Sequence, residues 1–226
     1  MMKKSKRSDV DPFIVMDVME SARIAEEKGK DIIHMEVGQP GTPAPKIAKD
    51  YITNEINKNN LGYTVSLGLP ALRTKISKLY GDWYNLDLNP NRIVVTTGSS
   101  GAFILSFSAL FDSGDRVGIG SPSYPSYRQI LKSLSLETVD IQTKLQNRFQ
   151  PVPEDITNNN LNGILVASPA NPTGSMLDKQ SLENLINTAN ENNVSFISDE
   201  IYHGIQYENN PTSALEITDN CYVINS

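Results

Sequence analysis

From residue 92 onward the chain alternates short apolar runs with stretches of helical spacing, and this alternation limits its fold more than any other feature. Arg92–Thr96, Arg116–Ile119, Thr138–Ile141, Gly163–Ala167, Val194–Ser198 and Tyr222–Ile224 read as strands. Ser99–Phe111, Tyr124–Leu134 and Asp178–Asn192 read as the helices between them. A strand with one wet face alternates polar and apolar side chains, whereas runs that stay apolar are covered on both faces. The pattern therefore predicts an α/β fold, a mostly parallel sheet with helices on both faces. No internal repeat is visible.

The first ninety residues add a helical segment. Val15–Lys28 places Val15, Val18, Met19, Ala22 and Ala25 on one side and is stopped by Gly29. Ile32–Val37 reads as a short extended run with His34 packed upon it, and residues 38–43 must be irregular. Pro45 opens a helix to about Asn57, residues 59–69 form a loop, and Pro70 opens a helix to about Tyr84.

Composition removes several classes of function. Twenty basic against 26 acidic residues leave a net charge of −6, the wrong sign for a nucleic-acid partner. Cys221 is the single cysteine, so there is no internal disulfide and no zinc-type cluster, and a reducing, cytoplasmic setting is expected. Lys3, Lys4, Lys6 and Arg7 make the start basic, but Asp9, Asp11, Asp17 and Glu20 interrupt the apolar residues after them. That argues against a secretory or transit leader and for a solvated tail. No run approaches the ~18–20 apolar residues that cross a bilayer, so no membrane partner is expected.

In open parallel sheets ligands bind just past the carboxyl ends of the strands. Five sets of residues occupy such places and should share one rim: Gly98-Ser99-Ser100-Gly101, Ser121–Tyr124, Ser168–Gly174, Asp199–Tyr202, and Ser226. Gly98-Ser99-Ser100-Gly101 comes after an apolar run and opens a helix, where free N–H groups and hydroxyls suit a phosphate dianion. It carries neither the lysine of a Walker loop nor the third glycine of a dinucleotide loop, and taken alone it also reads as an ordinary serine cap. In Ser168-Pro169-Ala170-Asn171-Pro172-Thr173-Gly174 the prolines and glycine restrain the backbone around one polar group, the Asn171 amide. Asp199 ends a strand as a cap, as a salt-bridge partner, or as an acid facing a protonated heterocyclic nitrogen, with the Tyr202 phenol nearby.

The strings SPANPTG, SDEIYHGIQY, YTVSLGLPALR, VTTGSSGAF and FIVMDVMESARIAEEKGKDIIHMEVGQP resemble the class I/II aminotransferases, fold-type-I enzymes that use pyridoxal phosphate. The likeness runs from about Pro12 to Ser226, in the family's order and spacing. It implies an N-terminal arm and small-domain helix over 1–40 and a cofactor-binding large domain over 41–226. Ser99 and Ser100 match residues that hold the cofactor phosphate, and Tyr124 matches the aromatic that stacks on the ring. Asn171 matches the amide that meets both the ring's phenolic oxygen and the substrate carboxylate. Asp199 matches the acid that keeps the ring nitrogen protonated, and Tyr202 the second donor to the phenolic oxygen. Gly38 matches a backbone contact near the substrate carboxylate. Tyr63 matches a tyrosine that reaches the phosphate of the neighbouring subunit, which implies a homodimer.

The same resemblance implies that the family's essential lysine, in a Ser-x-x-Lys pattern whose first serine is Ser226, falls beyond the last residue. The arginine that clamps the substrate carboxylate would lie further on. None of Lys132, Lys144 or Lys179 replaces the lysine by motif. The expectation is an incomplete large domain that cannot transaminate alone. A later antiparallel strand would belong between 92–96 and 222–224, and without it two sheet edges stand open. The implied activity is exchange of an amino group between an amino acid and a 2-oxo acid. A carbon–sulfur β-lyase on the same scaffold, or a catalytically dead cofactor-binding protein, uses the same residues.

Overall fold

The structure is a computed structural model that describes residues 2–38 and 41–226. Met1, Gln39 and Pro40 lie outside the described residues, so the irregular segment expected over 38–43 is described only in part. The chain divides into two compact units, Pro12–Leu69 on one hand, and residues up to Asp11 with Pro70–Ser226 on the other.

The Pro12–Leu69 unit holds α1 (Ile14–Glu27) and α2 (Lys46–Lys58). Val15, Ala22 and Ala25, three to four residues apart or multiples of that, form the less exposed stripe of α1. Ile32–Val37 forms no strand, and His34 is not a packed side chain. Ile33 and Met35 beside it are exposed, and among the described residues no strand pairs with the backbone there. The His34 ring lies in solvent between Glu36 Oε1 at 2.7 Å and Glu26 Oε1 at 2.9 Å. Those two carboxylates, Glu36 foremost, raise its pKa to about 9.

The larger unit begins with a 3₁₀ turn at Lys6–Ser8 that the Ser5 side chain caps, all of it exposed. It continues with α3 (Pro70–Tyr84), α4 (Gly98–Leu110), β1 (Arg116–Ser121), α5 (Pro125–Ser133) and β2 (Glu137–Gln142). Then come α6 (Pro153–Asn158), β3 (Gly163–Ala167), α7 (Lys179–Glu191), β4 (Ser195–Asp199) and β5 (Tyr222–Ile224). The five strands form one parallel sheet in the order β2-β1-β3-β4-β5, as the apolar runs predict.

Alternate residues of each strand feed two cores. Ile164, Val166 and Phe196 pack with Ile156 of α6 and Leu182, Leu185 and Ile186 of α7. Val117, Ile119, Leu165, Ile197 and Ile224 pack with Phe103 and Phe107 of α4 and Tyr127 and Leu131 of α5. Burying side chains of this size is worth about 1.5–3 kcal/mol each, which makes the covered sheet the stable body of the chain. Gly163 is required where it stands: a Cβ there would lie 2.2 Å from the Phe111 ring.

One expected strand is absent. At Arg92–Thr96 the structure has a 3₁₀ turn, Pro90–Arg92, capped by the Asn89 side chain, followed by backbone that joins no described strand. Ile93 is extended (φ −99°, ψ 127°), but no described strand runs beside it, and Val94 is 52% exposed. Extended backbone becomes a strand only where a neighbour takes up its N–H and C=O groups. No described helix is long and apolar enough to cross a membrane.

Candidate functional site

The register Ala167↔Asp199↔Ile224 sets the carboxyl ends of β3, β4 and β5 side by side. The residues just past them therefore face one rim. Asp199, the last residue of β4, is 3% exposed. Its Oδ1 accepts from the Ile201 N–H at 3.2 Å, and its Oδ2 accepts from the Tyr127 hydroxyl. Its backbone carbonyl accepts from Ser168 N–H at 3.2 Å, which ties it to the start of the loop after β3. Among the described residues no ion pair reaches Asp199. Burial raises its pKa, and the two donors oppose that only in part.

Tyr127 is itself buried and lies edge-on to two other rings. Its centroid is 5.4 Å from that of Tyr124 and 5.2 Å from that of Phe103. Tyr124 is the residue before Pro125 opens α5, so a single helical turn carries both tyrosines past the end of β1. Phe103 stands one turn after Ser99 on α4, which places the start of that helix on the same side of the sheet. No side chain caps α4, Gly98 has φ +74°, and Gly101 leaves room for Thr97 Oγ1, which would be 2.8 Å from a Cβ there. Gly98 N–H donates to Thr96 O at 3.0 Å, and the N–H groups after it, with the Ser99 and Ser100 hydroxyls, stand at a helix start that suits an anion.

The loop after β3 is held internally. Gly174 N–H donates to Ala170 O at 2.7 Å and Ala170 N–H to Ser175 O at 2.9 Å. The buried Gln150 amide donates to Ala167 O and to Ser175 O, and Leu177 N–H donates to Ser168 Oγ at 3.0 Å. The Ser168–Pro169 and Asn171–Pro172 bonds are cis. At the loop's far end Asn171 Nδ2 donates to the Tyr202 hydroxyl at 3.3 Å, so the two residues singled out as sharing one oxygen do meet.

Ser99, Ser100, Tyr124, Asn171, Asp199 and Tyr202 all belong to the larger unit and lie past strand ends or open the helix beside them. Ser226 is exposed beside Asn225, whose amide donates to Tyr80 Oη at 3.2 Å. Gly38 and Tyr63 belong to the Pro12–Leu69 unit, and both are exposed. A cavity of about 280 Å³ lined by Leu86–Leu88, Arg92 and residues 215–219 contains none of these groups. It adjoins the residues that lead into the amino end of β5.

Two features escaped the sequence reading. Tyr127 was not distinguishable from any other helix tyrosine, although its place three residues after Tyr124 was a usable signal. Glu200, 1% exposed, accepts from Ser198 Oγ, Ser213 Oγ and Ala214 N–H, and burial pushes its pKa up to about 7. Beside it His203 is also buried.

These groups suit pyridoxal phosphate. An uncapped helix start with hydroxyls fits a phosphate, and a desolvated acid fits a cationic ring nitrogen, which would restore its charge. The Asn171–Tyr202 pair fits one phenolic oxygen.

Sequence comparison agrees. The chain is 40% identical over 224 residues to the valine–pyruvate aminotransferase of Mycobacterium tuberculosis, covering 97% of this chain and 58% of that protein. The crystal structure of an aminotransferase from Mycobacterium tuberculosis superposes with a TM-score of 0.94 at 38% identity, over 100% of this chain and 59% of that one. The alanine aminotransferase from Pyrococcus furiosus superposes with a TM-score of 0.88 at 33% identity, over 99% of this chain and 58% of that one. The chain thus spans just under three fifths of the length of these relatives. The pattern described as aminotransferase class I and II matches residues 30–226, through every rim position from Gly98 to Ser226, and the chain belongs to that family.

Proposed function

We propose that the chain is the cofactor-binding part of a pyridoxal-phosphate-dependent aminotransferase that moves an amino group between an amino acid and a 2-oxo acid. The observation that carries this reading is Asp199: a buried carboxylate at the end of β4, free of ion pairs among the described residues and raised in pKa by desolvation. When bound, pyridoxal phosphate supplies an electron-poor ring that takes up the electron pair left when the α-carbon of an amino acid loses its proton. Asp199 would hold the ring nitrogen's proton in place, with Tyr127 and the Ile201 N–H fixing the carboxylate's orientation. Ser99, Ser100 and the first N–H groups of α4 would hold the phosphate. Tyr124 would cover one face of the ring. Asn171 and Tyr202 would donate to the phenolic oxygen, and Asn171 would also meet the substrate carboxylate, a role the family resemblance gives to the Gly38 backbone as well.

Three further parts belong to the same reading. The lysine that bonds the cofactor would come after Ser226, beyond this chain. Tyr63, wholly exposed, would reach the phosphate site of a second subunit, so the active form would be a homodimer, and the single cysteine favours a reducing, cytoplasmic setting for it. An N-terminal arm and small-domain helix over residues 1–40 and a cofactor domain over 41–226 belong to the same reading.

The test is direct. The intact protein mixed with excess pyridoxal phosphate should show a bound-cofactor absorbance band that shifts when an amino acid is added. Absence of any band overturns the proposal. In the gene, an in-frame Ser-x-x-Lys beginning at codon 226 is expected.

A further inference from the structure

We infer that His203 is a positioning residue: as a neutral, Nε2-protonated ring it fastens the Ser168–Gly174 loop, and with it Asn171, to helix α3. The inference deepens the proposed function, on whose reading it rests for its cofactor-binding consequence. Its structural part stands on hydrogen bonds alone.

The His203 side chain is buried, and both ring nitrogens have partners on other elements. Nε2 is 2.9 Å from the Ser168 carbonyl, the first residue of the loop. Nδ1 is 2.6 Å from the Tyr84 hydroxyl at the end of α3. A carbonyl can only accept, so Nε2 carries the hydrogen, and Nδ1 is left to accept from Tyr84. This arrangement uses the neutral ring completely. Desolvation lowers the pKa of His203 in agreement with it. Glu200 Oε2 lies 3.6 Å from Nδ1, beyond hydrogen-bond reach, and accepts from Ser213 Oγ instead.

The geometry gives the bond its purpose. Ser168 N–H and O are both held at the rim, the first by Asp199 O and the second by His203. His203 itself is fixed by its N–H on Glu200 O at 3.0 Å. Asn171 is three residues along the same loop, and its partner Tyr202 is the residue next to His203. One ring therefore sets the height of the loop against the segment that carries Asp199 and Tyr202. On α3, Tyr80 is one turn before Tyr84 and receives the Asn225 amide, so one face of that helix braces the exits of both β4 and β5.

The experiment uses the intact protein and four forms: wild type, His203→Phe, His203→Gln and Tyr84→Phe. Phenylalanine keeps the ring but neither bond, glutamine keeps one donor and one acceptor, and Tyr84→Phe removes a single hydroxyl. Amide hydrogen exchange without cofactor is read at Ala170, Gly174 and Leu177, with Leu185 and Ile186 of α7 as the reference. One lost hydrogen bond corresponds to roughly five- to tenfold faster local exchange. His203→Phe should show that acceleration in the loop and not in α7. His203→Gln should return the loop to within about twofold of wild type, and Tyr84→Phe should fall between. The dissociation constant for pyridoxal phosphate should rise in the same order. Loop exchange unchanged in His203→Phe, or accelerated equally in α7, or not rescued by glutamine, overturns the inference. If His203→Phe does not fold, Tyr84→Phe decides: loop amides at the wild-type rate overturn it. A wild type that binds no pyridoxal phosphate overturns the proposed function, while the exchange data still decide the role of His203.

Discussion

Tyr127 of α5 donates its hydroxyl to Oδ2 of Asp199, the last residue of β4, and the two side chains are buried together, 2% and 3% exposed. The pairing turns a costly buried acid into an oriented one. A lone carboxyl in that place would be free to rotate and would favour its neutral form. Tyr127→Phe should lower stability at pH 7 by about 1–3 kcal/mol, because an acceptor is left without its donor. The loss should shrink as the pH is lowered and Asp199 takes up a proton. Urea unfolding at two pH values measures both. Equal stabilities at pH 7 would show that the bond contributes nothing.

The two groups proposed to face the cofactor ring differ in what they do to it. Asp199 would set its charge, whereas Tyr202, whose hydroxyl accepts from Asn171 Nδ2 at 3.3 Å, would only share in holding the phenolic oxygen. In the intact enzyme Asp199→Ala should lower kcat by roughly a thousandfold, and Tyr202→Phe by about tenfold. Steady-state kinetics compare them. Near-equal losses contradict the assigned roles.

Glu200 gives the fold a pH dependence. Its pKa rises from 4.5 to about 7 on burial, so the folded chain binds this proton more tightly than the unfolded one. The stability it contributes is complete below pH 4.5 and is lost as the pH rises through about 7, by at most about 3 kcal/mol. His203, whose pKa is lowered, acts in the opposite sense: its contribution is present above pH 6.5 and is lost as the pH falls. Comparing wild type with Glu200→Gln isolates the first. Wild type should lose stability relative to the variant steadily between pH 4.5 and 7. A constant gap across that window would falsify the assignment.

Gly163→Ala should destabilise by about 1–3 kcal/mol, since the added methyl meets the Phe111 ring at the start of β3. Gly120→Ala is the control, because a Cβ there only approaches Thr143 Cγ2 at 3.4 Å. Thermal unfolding of the two variants should rank them in that order, and the reverse order would mean that Phe111 yields freely.

Much of the larger unit was legible because local pattern and tertiary demand coincide. Gly163–Ala167 is apolar throughout and the run into Asp199 carries Val194, Phe196 and Ile197 among serines, and both became central strands with cores on either face. The same logic failed at Arg92–Thr96, where an apolar, extended run has no described strand to pair with and Val94 stays in solvent. It failed again at His34, which sits between two carboxylates that sequence spacing does not bring together. The candidate site was legible as far as its loops. Ser99, Asn171 and Asp199 each lie at the end of an apolar run or just past it, and that rule finds the residues without knowing their partners.

The amino-acid sequence by itself determined the parallel covered sheet, the rim on which its chemistry gathers, and the family to which the chain belongs. Only the tertiary structure decided which side chains hold that rim in shape: Tyr127 on Asp199, and His203 between Tyr84 and Ser168. The reason is separation along the chain. Periodicity and turn chemistry act over a few residues, whereas these bonds join positions 72, 119 and 35 residues apart, whose meeting depends on how the whole sheet packs.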